Sequence, residues 1–99
     1  MQSFYPERFE RDMGTTEAEW LMRLPQAIGP WAWRREGACV QVDFGAGRLQ
    51  IDWEELAPRV IALMRMPRLS VRFAFEGVAA PDRLQFMRRF DLTMQRGGG

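Results

Sequence analysis

The 99-residue sequence contains no histidine, no lysine and no asparagine, and it has one cysteine. Histidine is the commonest general base and metal ligand in proteins, so its absence excludes Ser–His and Cys–His catalytic pairs. We identify no catalytic residue, no metal ligand and no cofactor site. The sequence therefore favours a protein that is not an enzyme.

Long apolar runs are also missing. The longest, Val60–Met64, has five residues and is too short to span a bilayer, and the N-terminus lacks the apolar core of a signal peptide. Cys39 has no partner for an internal disulfide, which is typical of a reducing compartment. All fourteen basic residues are arginine, but the net charge is only +1. These features predict one cytoplasmic domain without membrane association.

Apolar residues alternate with polar ones in several segments, as in strands with one buried face. We predict strands at 38–44, 48–53, 60–66 and 69–76, the third apolar on both faces. The predicted fold is α+β with two layers. A four-stranded antiparallel meander is covered on one face by an N-terminal and a C-terminal helix, in the order α-β-β-β-β-α. The predicted core residues of the strands are Val40, Val42, Ile51, Trp53, Val71, Phe73 and Phe75.

Capping and breaking residues set the helix limits. Thr16 and Glu19 form a capping box, and Gly29-Pro30 ends the first helix, which Pro25 should stop or kink. Pro81 begins a second helix that reaches about Gln95. We predict an N-terminal arm at 1–14 with one or two helical turns, a domain at 15–96 and a loose glycine tail at 97–99. Residues 31–35 form either an edge strand or an ordered loop.

Two hairpin registers follow from the turn signals. Gly45–Gly47 permits pairing of Phe44 with Leu49 or a register shifted by two residues, which preserves the faces. A turn around Pro67 would pair Met66 with Leu69. Further along the same pair of strands, Leu63 would then meet Arg72 and Ile61 would meet Ala74.

The second register predicts an apolar island on the face that the helices leave uncovered. A contiguous apolar patch on a sheet indicates a partner surface. We expect either a protein partner, including a second copy of the chain, or the N-terminal arm with Phe4, Tyr5 and Phe9 to cover it. The candidate interaction surface comprises Ile61, Leu63, Arg65, Arg72 and Ala74.

Other clusters of residues support alternative functions. Aromatic residues interleaved with arginine can stack bases and hold phosphates, which makes Trp31, Trp33, Arg34 and Arg35 candidate RNA or nucleotide contacts. Asp43 and Asp52 are expected close together on the outer sheet face, where a solvated role is favoured over acid–base chemistry. The terminal glycines are similar to those of C-terminally activated carrier proteins, although a helix leads into them here. An enzyme subunit is the remaining alternative.

Three stretches together resemble a group of short uncharacterised proteobacterial proteins. They are Gly14–Leu21 (GTTEAEWL), Arg65–Leu69 (RMPRL), and Phe86–Leu92 (FMRRFDL) followed by Gln95–Gly99 (QRGGG). The resemblance covers nearly the whole chain. It implies a cytoplasmic bacterial protein, and it supplies no catalytic residues to carry over. The function that the sequence favours is a small non-enzymatic protein-interaction or assembly module that self-associates or serves a larger protein.

Overall fold

A computed structural model describes residues 4–96. The elements are β1 (Arg8–Met13), α1 (Glu17–Ile28), β2 (Ala32–Glu36), β3 (Cys39–Asp43), β4 (Arg48–Ile61), β5 (Met64–Glu76) and α2 (Ala80–Arg96). The α+β class is as predicted. The predicted glycine tail lies outside the described residues.

The sheet has five antiparallel strands in the order β1-β5-β4-β3-β2, so the predicted count of four is wrong. One of the two edge strands, β1, replaces the helical turns expected in the N-terminal arm. It pairs with β5 from Arg8↔Ala74 to Met13↔Leu69. Its alternate side chains, Phe9, Arg11 and Met13, are half-buried, which is a strand period rather than a helical one. Residues 8–13 are thus part of the sheet.

The hairpin of β3 and β4 has the shifted register. Val42 pairs with Leu49 and Val40 with Ile51, a shift of two residues from the pairing of Phe44 with Leu49. The buried faces are nevertheless those predicted, because a shift of two residues preserves side-chain direction. Residues 32–36 form a strand, β2, which pairs with β3 from Ala32↔Asp43 to Glu36↔Cys39.

The predicted third strand and its turn at Pro67 are wrong. β4 continues to Ile61, and the chain reverses at Ala62-Leu63, so that Ile61 pairs with Met64. A bulge between Leu56 and Arg59 accommodates Pro58, which cannot donate a backbone hydrogen bond. The segment 60–66 is therefore two half-strands joined by a turn.

Both helices begin and end close to the expected residues. The Thr16 hydroxyl accepts a hydrogen bond from the Glu19 amide at 3.1 Å, as in a capping box. Pro25 does not end α1, which continues to Ile28 and is capped by Gly29 with φ 79°. Glycine adopts this conformation without the steric cost of a Cβ atom.

The core lies between the two helices and one face of the sheet. All seven predicted strand residues are buried, and Trp20, Leu24, Met87 and Phe90 complete the core from the helices. Their rings meet edge-on: Phe73 lies 5.5 Å from Phe90 and Trp20 lies 5.8 Å from Phe90 between centroids. None of the helices in residues 4–96 is long and apolar enough to cross a bilayer.

Polar contacts fasten the N-terminal segment to α2. The Tyr5 hydroxyl donates to Asp91 Oδ2 at 2.6 Å, and Arg11 Nη2 donates to the same oxygen at 3.0 Å. The Arg83 side chain is buried and donates to the backbone oxygens of Tyr5 and Val78. The contacts made by Tyr5 and Arg11 join residues about eighty positions apart, so no local sequence signal predicts them.

Candidate interaction surface

The ends of β4 and β5 project beyond the rest of the sheet as a two-stranded ribbon. β3 last pairs with β4 at Asp52, and β1 last pairs with β5 at Leu69. Residues 55–61 and 64–68 therefore pair only with each other. We call residues 55–68 the β4–β5 arm. A two-stranded ribbon has fewer stabilising contacts than the body of a sheet, and this one is continuous with the sheet at its base.

Apolar side chains surround the end of the arm. Ile61 and Met64 are cross-strand partners and share one face, whereas Val60 lies with Arg65 on the other. Leu63, in the turn, is 100% exposed. Half of the large apolar residues exposed in residues 4–96 are in this short segment: Val60, Ile61, Leu63, Met64 and Met66. The exposed apolar side chains of the described chain are thus concentrated at the end of the arm.

The charge of the arm is positive towards its tip. Arg59, Arg65 and Arg68 lie beyond Glu55, with no acidic residue between Glu55 and Glu76. Arg68 donates to Asp12 of β1 and thereby lowers the pKa of that carboxyl group. Arg59 and Arg65 make no salt bridge within the described part of the chain. The arm thus presents apolar side chains together with the guanidinium groups of Arg59 and Arg65, of which Arg59 also helps to lower the pKa of Asp12.

Proline occurs in each unpaired edge of the arm, as Pro58 in β4 and Pro67 in β5. The Phe75 amide donates towards the β1 side, to Glu7 O at 2.7 Å. Backbone amides of a strand alternate in direction, and Pro67 is an even number of residues from Phe75. The Pro67 nitrogen therefore faces the same side, here the free edge, where proline has no hydrogen to donate. Prolines at edges oppose pairing with an added strand. Both prolines therefore make the free edges of the arm poor templates for a further strand.

The turn itself is conformationally unusual. Ala62 has φ 54°, and it is the one non-glycine residue with positive φ among residues 4–96. A left-handed conformation is strained for alanine and is usually left to glycine or asparagine. The conformation points Leu63 away from the body, where the side chain makes no protective contact.

The five residues of the predicted interaction surface do not lie together. Ile61, Leu63 and Arg65 are at the end of the arm, whereas Arg72 and Ala74 are in the body of the sheet. Arg72 is opposite Asp52, not Leu63, and its Nε donates to Asp52 Oδ1 at 2.6 Å. The predicted apolar island is wrong because the chain turns at Ala62-Leu63 instead of at Pro67.

The outer face of the sheet is instead a network of charges. Arg72 lies between Asp52 and Glu54, and Arg48 donates to Glu76 at 3.0 Å. These opposed charges suit a solvated face. The described part of the N-terminal arm, residues 4–14, does not cover this face: Phe9 stacks on core residue Phe73, with ring centroids 4.7 Å apart, on the helix side.

The candidate nucleic-acid residues are divided between the two faces of the sheet. Trp33 and Arg35 are opposite the buried residues Val42 and Val40, so both point to the helix side. Arg34 points to the outer side, where it donates to Gln41 at 3.4 Å. Trp31 precedes β2 and lies edge-on against Phe44 at 4.8 Å. The four side chains form no single stacking surface.

Asp43, Asp52 and Cys39 each have different local contacts. Asp43 caps the turn by accepting from the Gly45 amide at 2.7 Å, whereas Asp52 holds Arg72. The two aspartates are four positions apart along the ladder, about 13 Å at the usual strand rise, so the expectation that they lie close together is wrong. Burial raises the pKa of the Cys39 thiol and so disfavours the reactive thiolate. Within residues 4–96, no three Cys, Asp or Glu side chains gather as a metal site.

No protein-family model matches the chain. No curated protein is significantly similar to it.

Proposed function

We propose that the protein is a small non-enzymatic assembly module of the cytoplasm, and that it associates with a second copy of itself through the β4–β5 arm. The observation that carries this proposal is the exposure of five apolar side chains on a ribbon that has no neighbouring strand. Val60, Ile61, Leu63, Met64 and Met66 are 60, 55, 100, 65 and 41% exposed.

The energetics favour reciprocal contact between two arms. The exposed fractions are together equivalent to about three fully exposed side chains. Burying them contributes about 5–10 kcal/mol at about 1.5–3 kcal/mol per side chain. Association costs about 4–15 kcal/mol, so one arm roughly balances this cost. A twofold dimer buries two arms in one interface, about 10–20 kcal/mol, and this gain exceeds the association cost over most of its range.

The placement of apolar groups also supports a symmetric partner. They lie on both faces of the arm and at its tip, so a flat surface would cover only part of them. An arm that crosses its twofold equivalent can be covered on one face by the partner arm and on the other by the partner body. The prolines favour this packing of side chains over strand addition.

Site-specific photo-crosslinking in cells that produce the protein tests the proposal. A benzophenone amino acid in place of Leu63 should give an adduct with the mass of two chains. The matched control replaces Gln41, an exposed residue on the outer sheet face, and should give none. An adduct of Leu63 with nucleic acid or a different protein would refute self-association, and equal adducts at both positions would refute a role specific to the arm.

A further inference from the structure

A cleft lies at the end of the sheet opposite the β4–β5 arm and takes no part in the proposed assembly. It is enclosed by the turn between β3 and β4, the residues that follow β5, and the first half of α2, and its volume is about 420 Å³. Pockets that bind small molecules generally have volumes of about 300–1,000 Å³. The space therefore suits a ligand of a few residues.

Three aromatic side chains form its walls. Phe44 lies edge-on to Trp31 at 4.8 Å and edge-on to Phe86 at 5.3 Å between ring centroids. Phe86 is buried in the core, whereas Trp31 keeps 42% of its surface exposed. Because each ring is fixed by the next, the apolar walls are formed before any ligand arrives. Preformed walls reduce the ordering cost of binding.

Two opposite charges flank the aromatic walls. Asp82 and Arg89 both line the cleft and are seven residues apart on α2. Seven residues make nearly two turns, so the two side chains share a helix face about 10.5 Å apart along the axis. Neither forms a salt bridge with another residue in the range 4–96. The Arg89 guanidinium lies against Gly29, where a Cβ atom would be 2.9 Å from its central carbon.

We propose that this cleft binds a short zwitterionic peptide with an apolar middle, in the size range of a free di- or tripeptide. The guanidinium of Arg89 matches a carboxylate, and the carboxylate of Asp82 matches an ammonium group. An extended chain spans about 3.3–3.6 Å per residue, so two or three residues bridge the two charges once side-chain reach is included. The aromatic walls then take the apolar side chain between the peptide ends.

Calorimetry on the intact protein with alanyl-phenylalanyl-alanine tests the proposal. We expect a Kd of about 10–1,000 µM, as for a ligand of this size. Acetylating the amine or amidating the carboxylate of the peptide should each weaken binding about 10-fold or more, since an unpaired charge then remains in the cleft. The indole N–H resonance of Trp31 should shift on binding.

Charge-neutralising variants identify which end is held by which residue. Arg89→Gln should weaken binding of the free peptide about 10-fold and leave binding of the amidated peptide unchanged. Asp82→Asn should likewise weaken binding of the free peptide about 10-fold and leave binding of the acetylated peptide unchanged. Arg88→Gln, at the next exposed position of α2, is the matched control and should bind as the unmodified protein does. No heat or resonance shift with the free peptide, or equal binding of the free and blocked peptides, would overturn the proposal.

Discussion

Asp91 joins the N-terminal segment to α2, and its replacement by alanine should destabilise the fold. The carboxylate accepts the Tyr5 hydroxyl and two hydrogen bonds from Arg11, whose guanidinium lies 5.5 Å above the Phe9 ring. The side chains of Arg11 and Asp91 are 25 and 23% exposed. Removing Asp91 therefore leaves a partly desolvated guanidinium without its counter-charge.

The expected loss is about 2–4 kcal/mol. A hydrogen bond to a charged group contributes about 1.5–3 kcal/mol, the three are not additive, and residual solvent access reduces the cost below that of a fully buried pair. This is a large share of a total stability of about 5–15 kcal/mol. Urea denaturation followed by circular dichroism measures it. Asp82→Ala, which removes an exposed carboxylate from the same helix, should cost less than about 1 kcal/mol. If Asp91→Ala is no less stable than this control, the contacts of Asp91 do not stabilise the fold as argued.

Three further predictions concern the core, a close backbone approach and a titration. Phe73→Ala should cost about 3–5 kcal/mol in a denaturant melt and Gln41→Ala less than about 0.5 kcal/mol; equal stability would mean that the sheet faces are wrongly assigned. Gly47→Ala should cost at least about 1–3 kcal/mol, because a methyl group there would lie 2.4 Å from the backbone oxygen of Gly77. An unchanged melting temperature would contradict the close packing of Gly47 against Gly77. Burial and then Asp91 raise the pKa of Tyr5, the single tyrosine, so its contribution to stability is present below about pH 10 and is lost as pH rises through the folded-state pKa. Ultraviolet titration of tyrosinate should give a lower pKa in Asp91→Asn than in the unmodified protein, and identical titrations would contradict the contact.

Local patterns were sufficient for the buried faces and the helix starts. Alternation at Val40, Val42 and Phe73 identifies the core side of each strand, since side-chain direction repeats every two residues. The helix start at Thr16 is likewise predicted by a local pattern, the capping box with Glu19. The β3–β4 register could be narrowed only to two choices, because a turn with Gly45 and Gly47 accepts either loop length.

The arm and the edge strand depended on information that local patterns lack. Ala62-Leu63 has no turn signature, whereas Pro67 does, so the reversal was predicted at the proline. β1 is stabilised by pairing with β5, about sixty residues later, and its charged sequence resembles a helix as much as a strand. The predicted island placed Ile61 and Leu63 on the outer face beside Arg72 and Ala74, and their location at the end of a projecting ribbon follows only from the three-dimensional register.

Sedimentation equilibrium over a concentration series, for the unmodified protein and Leu63→Asp together, tests the role of the arm most directly. The unmodified protein should approach twice its chain mass of 11.6 kDa, whereas Leu63→Asp should remain at 11.6 kDa with unchanged circular dichroism. Aspartate at the exposed tip would place a charge in the buried contact without touching the core. An unmodified protein that stays monomeric at about 1 mM, or a dimer that survives the substitution, would contradict assembly through the arm.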